Sequence, residues 1–179
     1  MSDWIERRHI LEYDSAVAMR YHGRRRGFLD ASARLGPAVS IVLGGAAFAT
    51  VLSGHPTLAA LAALAVASVN AVNLSFGVAD RARQHDALFR QWGALRAELA
   101  GLADDDDTKL RELEAKRAVI DADSPWQLLA LSVICENEEK KVRRNGILFR
   151  VGWLQRVLAN YFTLPWWHPV EDERNAITG

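Results

Sequence analysis

Two long stretches without one charged side chain lie almost back to back in this chain. The first runs from Leu35 to Leu52 and the second from Leu58 to Ala79, joined by Ser53-Gly54-His55-Pro56-Thr57. A helix rises about 1.5 Å per residue, so each stretch is near the length that crosses about 30 Å of hydrocarbon. The sequence therefore predicts an all-α membrane protein. A two-span transmembrane helical hairpin is expected over 35–79, after an N-terminal amphipathic juxtamembrane helix over 1–34. A cytoplasmic helical bundle is expected over 80–164, and a tail over 165–179. The alternative, a helical hairpin buried in a soluble core, asks for more surrounding protein than this chain offers.

Charge placement orients the expected hairpin. Arg20, Arg24, Arg25, Arg26 and Arg34 precede the first stretch, and Arg81, Arg83 and Arg90 follow the second. The connection carries no charge, so the positive-inside rule puts both termini in the cytoplasm of a multi-pass inner-membrane protein. The start, Met1-Ser2-Asp3-Trp4, lacks the features of a cleaved leader. A net charge of +0 gives no general reason to expect nucleic-acid binding.

Within the second stretch, Ser68, Asn70, Asn73 and Ser75 are unusual. Asn70 and Asn73 share a face, and an amide in hydrocarbon needs a partner. Bonding across the hairpin, bonding to a neighbouring subunit and lining a hydrated path all satisfy it. Gly44, Gly45 and Ala49, with Gly77 in the second stretch, are candidates for close helix packing.

Outside the hairpin the period is helical. Ile10, Tyr13, Val17, Tyr21, Arg24 and Phe28 form a stripe along the first helix. A helix over 80–102 continues the second stretch and pairs, antiparallel, with one over 108–122 carrying Leu110, Leu113, Arg117 and Ile120. Asp104–Asp107 reads as a solvated linker, with capping of the next helix as the alternative. A further helix begins at Asp123-Ser124-Pro125, breaks at Asn145-Gly146 and is followed by a last helix over 147–162. That last helix either packs in the helical body or lies at a lipid interface.

Arg20, His22, Arg24, Arg25, Arg26, Arg34, Arg81 and Arg83 are the candidate contacts for lipid phosphate or an anionic signal, with pairing to acids of the helical body as the bland alternative. No phosphate loop or nucleophile–base constellation is present in the sequence pattern, so no enzyme, catalytic residue, cofactor or metal is expected. Cys135 is a lone cysteine and reads as a packed thiol.

Arg20-Tyr21-His22, Arg24-Arg25-Arg26-Gly27-Phe28-Leu29-Asp30, Asp80-Arg81-Ala82-Arg83-Gln84-His85, Leu113-Glu114-Ala115-Lys116-Arg117 and Cys135-Glu136-Asn137-Glu138 occur in that order. This arrangement resembles the SLATT family of bacterial two-transmembrane-helix effector domains. The resemblance implies a membrane effector of a conflict or anti-phage system that oligomerises and forms a pore or disrupts the inner membrane. It also implies a nucleotide-signal-producing or sensing partner protein. The competing expectation is a non-conducting membrane-anchored scaffold or assembly factor whose cytoplasmic helices bind a partner. Membrane lipid and further copies of the chain are the other expected partners.

Overall fold

The computed structural model describes residues 3–44, 54, 56–75, 77–104, 106–163 and 167–177. Among them are six helices and two strands: α1 (Asp3–Gly44), α2 (Pro56–Ser75), α3 (Val78–Ala100), α4 (Asp107–Ala122), α5 (Leu129–Arg143), β1 (Gly146–Arg150), α6 (Trp153–Leu158) and β2 (Val170–Ile177). Residues Met1–Arg24 and Asp86–Gly179 form one compact unit, and Arg25–His85 form a second.

No helix among the described residues is long and apolar enough to cross a membrane. This overturns the expected two-span fold, the transmembrane hairpin and the multi-pass inner-membrane location. The described part of α1 takes in ten residues of the first apolar stretch, Leu35 to Gly44, about 15 Å of rise. The rest of the expected first span, 45–52, lies outside the described residues. α2 has 20 residues, but only Leu58, Leu61, Leu64, Val66, Val69, Val72 and Leu74 are strongly apolar. Each Leu or Val favours insertion by only about 0.3–0.6 kcal/mol, and the rest of α2 is mainly Ala and polar residues.

The continuous helix expected across the end of the second stretch is also interrupted. Gly77 has φ +54, in the left-handed region, and separates α2 from α3. Its carbonyl then accepts the Arg81 N–H at 3.0 Å, within the first turn of α3. In this second unit Leu29, Ala82 and His85 are buried, while Leu35, Ile41, Leu61 and Leu64 are exposed.

In the first unit, α3 and α4 supply the main core. Leu88, Trp92, Leu95, Leu99 and Leu102 pack with Leu110, Leu113 and Ile120, and α1 adds Leu11. Burying each large side chain stabilises the fold by about 1.5–3 kcal/mol. The α1 stripe is shifted from the expected one: Leu11, Ser15, Ala16, Tyr21 and His22 are buried, whereas Ile10 is exposed.

The acidic run works mainly as local wiring. The Asp106 carboxylate caps α4 by accepting the Lys109 N–H at 2.9 Å. Asp107 accepts from Arg7 at 2.7 Å and from Arg111 at 2.8 Å. Arg7 also grips Glu114 through two bonds, at 2.9 and 2.5 Å, tying α1 to α4.

A second cluster joins Tyr21, Ala130, Leu131, Cys135 and Ala159. Beyond α5 the chain turns at Arg144 (φ 52) and Gly146 (φ +100). The last helix expected over 147–162 is replaced by strand β1 and the short α6. The expected tail contains β2, which pairs antiparallel with β1 through Leu148↔Asp172, Phe149↔Glu171 and Arg150↔Val170. The all-α expectation is corrected accordingly. Ile147, Leu148, Phe149 and Val151, around Arg150, are branched or aromatic enough to serve in a strand, and pairing with the distant 170–177 segment selects that state.

Candidate functional site

Among the described residues of the first unit, several exposed large apolar side chains lie on or just after α6. Trp153 is 76% exposed, Val157 60%, Tyr161 61% and Phe162 52%. No residue of α6 itself is buried. Ala159, just beyond it, is buried against α5, and the Thr163 hydroxyl accepts the Leu129 N–H at 3.2 Å. These contacts fix the segment while leaving its aromatic side chains outward. Trp126, three residues before Leu129, is 99% exposed. The same stretch is strongly basic: residues 140–156 carry six Lys or Arg and no acid.

A hollow of about 240 Å³ adjoins this surface. Arg24 from α1, Lys141 from α5 and Arg156 from α6 converge on it, together with Glu138, Ile134 and Val151. Arg24 is ion-paired with Glu138. The Arg156 Nε donates to the Val151 carbonyl at 3.3 Å.

A second cavity, about 180 Å³, lies between α1, α3, α4 and α5. Its walls include Asp14, Tyr21, Trp92, Arg117, Asp121 and Glu136. Arg117 bridges Asp14 at 2.8 Å and Asp121 at 3.4 Å. Burial pushes the Asp14 carboxyl up; Arg117 opposes this and the Asp121 charge adds to it. Burial also pushes Glu136 up, against the pull of Lys140 and with the push of Asp14. The Tyr21 hydroxyl accepts the Leu128 N–H at 2.9 Å. The buried Trp92 Nε1 has no hydrogen-bond partner among the described residues. The sequence signal for this cavity was Arg117 interrupting the apolar stripe of α4.

The predicted site residues are dispersed. Arg20 donates to the buried Glu139 carboxylate at 3.0 Å, and Arg143 donates to its other oxygen at 2.9 Å. Burial would push that carboxyl up, but the two arginines outweigh it and hold it below the usual range. His22 is fully buried, edge-on to Tyr21 with ring centres 5.3 Å apart, so it is not presented to a ligand at the surface. The Arg25 guanidinium lies 5.8 Å over the Phe28 ring. Arg26 is half-buried, whereas Arg34, Arg81 and Arg83 are exposed. Arg83 pairs with Asp80 in its own helix.

Ser68 donates to the Leu64 carbonyl at 2.8 Å, an intrahelical bond. Asn70, Asn73 and Ser75 fall in α2, and their side chains lie outside the described part. Gly44 is the last residue of α1, and Gly77 is a helix break. Gly45 and Ala49 lie outside the described residues. Of the predicted basic set, Arg24 alone lines the basic hollow; Lys141 and Arg156, which join it there, were not among the predicted site residues.

Cys135 is buried, and that burial raises its thiol to about 12. Among the described residues no group of three or more His, Cys, Asp or Glu is arranged to hold a metal ion. Comparison with family models, curated proteins and solved structures finds no match.

Proposed function

We propose that this chain is a non-enzymatic helical assembly module that associates with further copies of itself through the surface around α6. The observation that carries the reading is the outward set Trp153, Val157, Tyr161 and Phe162, each more than half exposed, on a segment pinned by Ala159 and Thr163. Contiguous exposed aromatic surface marks an interaction site, and Trp and Tyr dominate interface energetics.

Charge complementarity favours a second copy as the occupant. The basic stretch 140–156 would find its complement in 104–123, which carries eight acids and four bases, several of the acids also pairing within their own copy. Val119, on α4 within that acidic stretch, is 65% exposed and offers an apolar contact. Two different surfaces meeting in this way make a head-to-tail contact, which closes into a ring or extends as a filament. Leu35, Ile41, Leu61 and Leu64 give the second unit an apolar surface that assembly can also cover. The SLATT resemblance points the same way, to an output made by assembly.

The test is light scattering on the purified chain across protein and salt concentration. Concentration-dependent growth that weakens with salt and is lost in Trp153→Ser/Tyr161→Ser supports the reading. A monodisperse monomer throughout overturns it. So does association with anionic vesicles that needs the same aromatics while the chain stays monomeric in their absence.

A further inference from the structure

We propose that the basic hollow between α1, α5 and α6 binds a small phosphate monoester. This inference rests on a cavity inside one copy, although its cations Lys141 and Arg156 also belong to the basic stretch 140–156.

Three cations from three separate helices line the same hollow of about 240 Å³, against one carboxylate. Glu138 is already engaged by Arg24. Arg156 spends its Nε on a backbone carbonyl, and the Lys141 ammonium has no hydrogen bond or ion pair among the described residues. Two positive charges are therefore left without a carboxylate. Bringing like charges together is unfavourable, and a dianion relieves it.

A phosphate monoester carries about −1.5 to −2 charge at pH 7 and three strong acceptor oxygens, which match two unneutralised cations plus the remaining Arg24 donors. A carboxylate supplies half that charge. Ile134 and Val151 form an apolar side to the same hollow and suit an organic substituent. The volume is below the roughly 300–1,000 Å³ of drug-sized pockets, so the substituent is small.

Titration calorimetry on the full chain at constant ionic strength tests this, with glycerol 3-phosphate, inorganic phosphate, sulfate and glycerol as probes. The expected order is glycerol 3-phosphate tightest, inorganic phosphate weaker, and no measurable binding of glycerol. Lys141→Gln and Arg156→Gln should each weaken binding about tenfold or more, the loss of one charge-assisted bond. Glu138→Gln should tighten it several-fold by freeing Arg24. Arg150→Gln, on an exposed arginine that does not line the hollow, should leave it unchanged. Absence of saturable phosphate binding overturns the proposal, as does equal weakening by Arg150→Gln. If vesicles of phosphatidylcholine with phosphatidic acid bind through Lys141 and Arg156 while the soluble phosphates do not, the ligand is a lipid headgroup and the small-molecule assignment fails. Trp153→Ser/Tyr161→Ser, which alters the assembly surface at residues that do not line the hollow, should keep phosphate binding, and this separates failure of this site from failure of the assembly surface.

Discussion

Asn137 satisfies both backbone polar groups of Phe149: its Nδ2 donates to the Phe149 carbonyl at 2.7 Å, and its Oδ1 accepts the Phe149 N–H at 2.8 Å. A two-stranded ribbon is marginal alone. The α5 amide supplies β1 with the pairing that a third strand would give.

Asn137→Ala should therefore destabilise the fold by about 2 kcal/mol, from two lost hydrogen bonds and a half-buried backbone left unpaired. Urea unfolding measures the loss. Amide exchange should show it concentrated at 147–150, and a uniform change along the chain would contradict this role.

Glu139 is held by Arg20 and Arg143 inside the first unit. Its folded pKa is lowered, so the unfolded state binds the proton more readily. The stabilisation is complete above the ordinary carboxylate value and is lost as pH falls through the lower folded value. Glu139→Gln should flatten that acid limb in unfolding curves. Arg20→Ala at neutral pH should cost about 2 kcal/mol, because one charge-assisted bond to a buried carboxylate disappears.

His85 titrates in a different window. Burial first, then the Arg25 and Arg81 charges, lower its pKa from 6.5 to about 4. Between these values the unfolded chain binds the proton and the folded chain does not. Stability is thus greatest above pH 6.5 and falls as pH drops toward 4, by on the order of 3 kcal/mol at most. In His85→Gln the difference in unfolding free energy between pH 7 and pH 4.5 should shrink. An imidazole titrating near 6.5 in the native protein would remove the basis for this window.

Cys135 should resist alkylation at neutral pH and react on unfolding, since its thiol is buried and raised to about 12. Iodoacetamide labelling followed by mass spectrometry reads this directly. Native labelling at the rate of a free thiol would show that the cluster around Tyr21 and Ala130 opens readily.

Much of the helical body was legible in order. The Leu88–Leu102 and Leu110–Ile120 periods predicted two packed helices, and Asn145-Gly146 marked the end of α5. These signals are local, because helical spacing and turn chemistry act within a few residues. Arg117 was read only as a member of the α4 stripe, and nothing in the sequence named Trp92 or Asp14 as its neighbours in a cavity.

By itself, the sequence determined where helices are favoured, where they break, and that acids and bases are segregated along the chain. The tertiary structure decided how those tendencies resolve. Lack of charge over 35–79 measured what the segment avoids, but not where its helices stop; the left-handed Gly77 separates α2 from α3. The 147–150 segment, whose spacing read as helix, is strand because it pairs with β2, which begins twenty residues after β1 ends. Arg24, Lys141 and Arg156 became one site only because three helices converge. Local preference costs little to read because its interactions are near in sequence, whereas pairing and convergence depend on contacts between segments far apart in the chain.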